Sequence, residues 1–194
     1  NPDDPLQSNP SNQMPWDELW DRIKTIQELL KAPVDDGAYV PHALIGLSNG
    51  GMMVADLLGR DLFRGKAVAS LWVNRWHDSG NWFDNIYNNN LIGALNESAS
   101  KTRKLELLVV DDIVASGKTV KEAFNFLKEK LKNSNIKYLP IVSANENYYD
   151  IIQDDLIWTH PAYGHIAKQG KSYIERLHTT KYRILPYDKD IRSS

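Results

Sequence analysis

Leu107-Leu108-Val109-Val110-Asp111-Asp112-Ile113-Val114-Ala115-Ser116-Gly117-Lys118-Thr119 runs from an apolar segment through two carboxylates into a small-residue turn. Leu107 to Val110 suits a strand buried on both faces of a parallel sheet. Two acids at the end of such a strand are costly unless they bind something. Ala115 to Thr119 offers backbone N–H groups, two hydroxyls and the start of a helix, all suited to an anion. Acids beside that cradle select a ligand with both hydroxyls and phosphate, held with a divalent metal. A sugar phosphate meets the description.

Working outward, the pattern repeats upstream. His42 to Leu47 reads as a strand, Ser48-Asn49-Gly50-Gly51 as a turn, and Met52 to Leu62 as a helix with Val54, Leu57, Leu58 and Leu62 inward. This is a second possible anion site, although any tight turn also uses glycine. Further strands are expected at Lys66 to Val73, Leu105 to Val110 and Ile136 to Ser143, with a helix at Thr119 to Leu131. Strands alternating with helices imply an α/β fold, a mostly parallel central sheet flanked by helices. Ligands in such sheets sit at the carboxyl ends of the strands, where both turns fall.

Outside this frame, Asn1 to Pro15 reads as a disordered or loosely docked leader, and residues 16–194 as one domain. Trp16 to Lys31 spaces Trp16, Leu19, Trp20, Ile23, Ile26, Leu29 and Leu30 as the core face of a helix. Pro33 to Pro41 is a loop. Residues 74–104 form a long polar stretch bearing Trp76, Trp82, Phe83 and Tyr87, which suits a functional flap or a disordered connection. Within it Leu91 to Leu95 suits a short helical or strand piece. Beyond the fourth strand, Asn145 to Asp155 reads as partly helical, Leu156 to Trp158 as a short strand, and His160 to Gly164 as a turn. Ile166 to Leu177 is amphipathic, and Lys181 to Tyr187 reads as a last strand or docked tail.

Composition removes several classes. Net charge is −2, so nothing global points to nucleic acid or an anionic membrane. The chain has no cysteine, which excludes disulfides, thiolate metal sites and a cysteine nucleophile. No apolar run approaches the roughly 18 residues of a membrane span. The polar, acidic N-terminus shows no signal-peptide pattern, so a cytoplasmic location is expected. The Asn96-Glu97-Ser98 sequon is then read as chance. The chain opens on Asn1 rather than Met, as a trimmed or excised chain would. His42, His77, His160, His165 and His178 show no metal-ligand spacing.

Ser116-Gly117-Lys118-Thr119 is similar to the tail of a P-loop, but that motif needs glycine where Asp112 stands. An acid there would repel a triphosphate. The stretch instead resembles the ribose-5-phosphate signature of the type I phosphoribosyltransferase family: hydrophobic residues, two acids, two hydrophobic residues, a small residue, Thr or Ser, Gly, any residue, Thr or Ser. Val109 to Thr119 matches it position by position. The resemblance implies the type I phosphoribosyltransferase fold with a flexible flap near 74–104 and a small C-terminal hood near 145–194. It implies that Asp111 and Asp112 hold the ribose hydroxyls, with Mg²⁺ bound near them through water or substrate. Ala115, Ser116, Gly117, Lys118 and Thr119 would hold the 5-phosphate. Ser48, Asn49, Gly50 and Gly51 resemble the diphosphate-binding loop, often built across a non-proline cis peptide. Trp158-Thr159-His160-Pro161 resembles the hood of xanthine–guanine-type members, which would place Ile113, Trp158 and His160 at the base; Trp158 as plain core is the other reading. Flap closure would exclude water.

The implied activity is transfer of phosphoribose from 5-phosphoribosyl-1-diphosphate to a nucleobase, with diphosphate released, as in purine and other nucleotide salvage. A homodimer is expected. The general base stays open among Asp78, Asp84 and Glu97. Three positions depart from oxopurine enzymes. Ala115 replaces an Asp, Val142 to Glu146 lacks a Lys, and Asn49 stands where Arg or Lys is common, which would weaken diphosphate binding or shift charge neutralisation to Arg75, Lys101 or Arg103. An Ala at this place does occur in adenine-type members. These departures admit an alternative, a non-catalytic regulatory protein of the same fold that senses the phosphoribosyl donor or a nucleoside monophosphate.

Overall fold

The computed structural model describes residues 14–73, 92–97, 104–114, 117–143, 153–163 and 185. Among the described residues, four strands, β1 (Ala43–Leu47), β2 (Ala67–Leu71), β3 (Leu105–Val114) and β4 (Ser134–Ser143), form one sheet in the order β2-β1-β3-β4. Every pairing among them is parallel. The helices are α1 (Trp16–Asp35), α2 (Ser48–Asp61), the short α3 over 92–97, and α4 (Lys118–Lys130). The expected α/β architecture is therefore present.

The hydrophobic runs explain the centre of the sheet. All five residues of β1 are buried, as are Leu107 to Val110 of β3. Burying each such Leu, Ile or Val side chain is worth about 1.5–3 kcal/mol, which offsets the cost of placing Asp111 next to them. Strand order also fixes where a ligand can sit. β2 lies on one side of β1 and β3 on the other, so the order reverses between β1 and β3. The crevice at a reversal is the usual ligand site of an open parallel sheet.

Several boundaries differ from the sequence reading. β3 runs through both acids to Val114, because the equally long β4 supplies ladder partners as far as Val114↔Ser143. Pairing with β1 stops at Gly46↔Val110, so the last residues of β3 project beyond the end of β1. α1 continues past Pro33 to Asp35, and the Pro33 carbonyl accepts from the Ala38 and Tyr39 N–H groups as the chain turns back. Pro33 has no N–H to give the Leu29 carbonyl, and the helix ends two residues later. The α1 core face is Leu19, Arg22, Ile23, Ile26, Leu30 and Pro33. Trp16 and Trp20 are instead 40% and 38% exposed and stack on each other. Arg22 takes the inward position and donates to Glu18 one turn back.

Met14, inside the stretch read as leader, is fully buried. Leu156 makes a single parallel bridge to Tyr138, and Ile157 to Thr159 is a 3₁₀ turn rather than a strand. This bridge covers part of the outer edge of β4. Of the Leu91 to Leu95 piece and its flank, 92–97 is helical. Asn96 Nδ2 donates to the Lys130 carbonyl at 3.0 Å, tying α3 to the end of α4. Residues 74–91, Asp78 and Asp84 included, and 98–103 of the flap lie outside the described residues. So do Asn145 to Ile152, Ile166 to Leu177, and all of Lys181 to Tyr187 except the buried Leu185.

Candidate functional site

The two acids do not sit side by side. Asp111 pairs with Pro140, two residues beyond the Val109↔Tyr138 pair, so Asp111, Val109 and Tyr138 share one face of the sheet. Asp111 is 6% exposed, and the Tyr138 hydroxyl donates to its Oδ2 at 2.8 Å. Asp112, next along the strand, faces the other way and is half-buried; its Oδ1 accepts from the Ile113 N–H at 2.7 Å. Ile113 is half-buried and packs against the core.

The second glycine turn meets this strand directly. Ser48 to Gly51 is not a loop but the first turn of α2, which begins as soon as β1 ends. The resemblance made a cis peptide common there, and none occurs among the described residues. Close approach explains the glycines. A Cβ on Gly51 would lie 2.6 Å from the Val110 carbonyl oxygen and 3.2 Å from the Asp111 Cα. A Cβ on Gly46 would lie 2.6 Å from the Met52 amide nitrogen and 2.7 Å from the Gly51 carbonyl carbon. Only glycine lets the first turn of α2 rest on the backbone that carries the acid. The two candidate halves of the site are thus in van der Waals contact.

The third part is the head of α4. Gly117 holds a left-handed φ of 71°, a conformation glycine adopts without steric cost, and turns the chain into the helix. α2 follows the carboxyl end of β1 and α4 that of β3, so the N-termini of both helices lie at the carboxyl end of the sheet. Thr119 is 7% exposed, whereas Lys118 is exposed and lies 4.0 Å from Glu122. Ala115 and Ser116 lie outside the described residues, as do the side chains of Ser48 and Asn49.

Trp158 and His160 are not brought to the acids. Trp158 is 1% exposed and packs edge-on to Tyr163, with ring centroids 6.0 Å apart. His160 lies 4.6 Å from the Tyr39 ring, and its Nδ1 accepts from the Ala162 N–H. Tyr39 precedes β1, and nearby Glu106 stands at the start of β3, so this cluster occupies the amino end of the sheet. Roughly 20 Å of strand separates Glu106 from Asp112. The hood reading of these two residues fails on that geometry; their aromatic bulk serves the core.

His160 has a measurable consequence. Burial pushes its imidazole below the usual histidine range; the Glu106 carboxylate opposes this and the Lys137 ammonium reinforces it. The unfolded chain takes up a proton near pH 6.5 that the folded chain refuses until lower pH. This contribution to stability is complete above about pH 6.5 and shrinks as pH falls below it. Thermal melts between pH 7.5 and 5 are expected to show a steeper loss of Tm for the wild type than for His160→Gln. Parallel curves would remove His160 as a source of acid sensitivity.

Sequence reasoning missed Tyr138. Within β4 it reads as an ordinary strand aromatic, and only the β3–β4 register places its hydroxyl against Asp111.

Fold and site together define a parallel α/β protein with two helix N-termini and a buried carboxylate at the point where strand order reverses. The sequence model of the phosphoribosyl transferase domain matches residues 15–159, most of the chain, and the chain belongs to that family. No curated protein matches significantly in sequence. Among solved structures, the purine phosphoribosyltransferase from Pyrococcus horikoshii Ot3 is similar at a TM-score of 0.58, with 14% identity over 91% of this chain and 92% of that one. The xanthine-guanine-hypoxanthine phosphoribosyltransferase of Helicobacter pylori gives 0.44 with 16% identity, covering 70% and 78%. The orotate phosphoribosyltransferase from Aeropyrum pernix gives 0.46 with 17% identity, covering 89% and 79%. At such identities the first supports the fold, and the other two are too remote to argue from.

Proposed function

We propose that the protein is a phosphoribosyltransferase that transfers phosphoribose from 5-phosphoribosyl-1-diphosphate to a nucleobase and releases diphosphate. The observation that carries this reading is the contact at the end of β3 between buried Asp111 and the first turn of α2, with the left-handed Gly117 that opens α4 three residues beyond the same strand. Asp111 and Asp112 accept hydrogen bonds from ribose hydroxyls. The Ala115–Thr119 turn and the head of α4 bind the 5-phosphate, and the amides of Ser48 to Gly51 receive the diphosphate. A ring nitrogen of the base attacks the anomeric carbon while the bond to diphosphate breaks, and the leaving group keeps the electron pair.

Mg²⁺ fits this donor set in one way. The carboxylates are hard oxygen ligands, but among the described residues no three His, Cys, Asp or Glu side chains converge on a point. The ion would be held chiefly by substrate oxygens and water near Asp111 and Asp112, and when bound it would neutralise diphosphate charge.

Ala115 and Asn49 keep a regulatory reading in view, in which the same site binds the donor or a nucleotide without transfer. A nucleotide-salvage role, a cytoplasmic location and a homodimer belong to the proposal in either form. Diphosphate release, followed with Mg²⁺, 5-phosphoribosyl-1-diphosphate and a panel of purines and pyrimidines, separates the two. Release with one class of base is expected. Donor binding without release from any base would replace the enzyme with the sensor.

A further inference from the structure

Asp111 has a neighbour that the proposed reaction does not use. The Tyr138 side chain is 0% exposed, its hydroxyl donates to Asp111 Oδ2 at 2.8 Å, and its ring meets Phe124 of α4 edge-on at 6.1 Å. Phe124 is itself buried, on the helix whose first turn contains Thr119 and begins at Gly117. One side chain therefore touches both the acid, through its hydroxyl, and α4, through its ring. A phenol donating to a carboxylate fixes which oxygen points inward, and so which way the other points.

We propose that Tyr138 is a positioning residue: its hydroxyl orients the Asp111 carboxylate toward the ribose hydroxyls. This rests on the proposed binding of phosphoribose at the site. Recognition of two groups on one sugar phosphate needs their receptors held at a fixed separation, and a misplacement of about 1 Å can cost two orders of magnitude. The rival role is simpler. The phenol could merely satisfy a buried carboxylate, contributing to stability and nothing to recognition.

The two roles separate in a comparison of ribose 5-phosphate with inorganic phosphate. Only the sugar phosphate uses both the acid and the turn. Tyr138→Phe keeps the ring against Phe124 and removes the hydroxyl. It is expected to weaken ribose 5-phosphate binding about tenfold, the scale of one hydrogen bond to a charged group, while inorganic phosphate binding stays within twofold. Phe124→Leu loosens packing on the same ring and leaves the hydroxyl; it is expected to lower Tm with little change in the ratio of the two affinities. Chemical-shift perturbation on the folded proteins gives both constants. A Tyr138→Phe protein with a lower Tm but an unchanged ratio would overturn the proposal and leave only the stabilising role. An equal change in ratio from Phe124→Leu would overturn it as well. Failure of the wild type to bind ribose 5-phosphate would instead strike the reading of the site, and this proposal with it.

Discussion

Gly46→Ala is expected to lower Tm by roughly 10 °C and to leave little of the site intact. The added Cβ meets backbone rather than flexible side chain: the Met52 amide nitrogen at 2.6 Å and the Gly51 carbonyl carbon at 2.7 Å. Gly46 is central in β1, hydrogen-bonded into the sheet between Ser70 and Val110, so the strand cannot move aside. The first turn of α2 must lift instead. Overpacking of this kind costs about 1–3 kcal/mol and occasionally more, and in a chain of this size each kcal/mol shifts Tm by about 2–4 °C. Gly51→Ala is the sharper instrument. Its Cβ would press on the Val110 carbonyl oxygen at 2.6 Å, moving the helix head away from Asp111. A smaller loss of Tm is expected with a loss of donor affinity at least as large as that of Gly46→Ala. Melting curves and binding titrations on the two variants check this, and full affinity in Gly51→Ala would separate the head of α2 from the ligand.

Asp111→Asn together with Asp112→Asn is expected to lower affinity for 5-phosphoribosyl-1-diphosphate by at least a hundredfold. Each hydrogen bond between a sugar hydroxyl and a carboxylate contributes about 1.5–3 kcal/mol, and a neutral amide forfeits most of it. Two such losses amount to about 3–6 kcal/mol. The fold should persist, because an asparagine carbonyl at position 111 can still accept from Tyr138 and the surrounding apolar core is untouched. Calorimetric titration beside a melting curve checks both halves. Retained affinity in a folded double variant would mean that the acids serve the sheet rather than the sugar.

Much of this was legible in the sequence because local chemistry and global fold agree there. The apolar run Leu107 to Val110, the acids after it and the glycine at 117 each carry a period or a backbone requirement that needs no neighbour to interpret. The same holds for β1 and the glycines after it, although their reason proved different. They read as a turn, and the structure uses them for close approach between α2 and the sheet.

What the sequence concealed depends on partners far along the chain. β3 passes through the acids only because β4 matches its length. Tyr138 acquires its meaning from register alone. Trp16 and Trp20 fit the helical stripe of α1, yet the buried side is rotated toward Arg22 and Ile26, a choice made by what packs against the helix. Trp158 and His160 matched a short motif whose role depends on which end of the sheet the segment reaches. In this chain it reaches the amino end, against Tyr39 and Tyr163.

The most direct test is calorimetric titration of the wild-type protein with 5-phosphoribosyl-1-diphosphate in the presence of Mg²⁺. Saturable binding at one site per chain is expected, competed by ribose 5-phosphate. A folded wild-type protein that takes up no donor across the accessible concentration range would contradict the assignment of the Asp111, Gly51 and Gly117 constellation as a phosphoribose site.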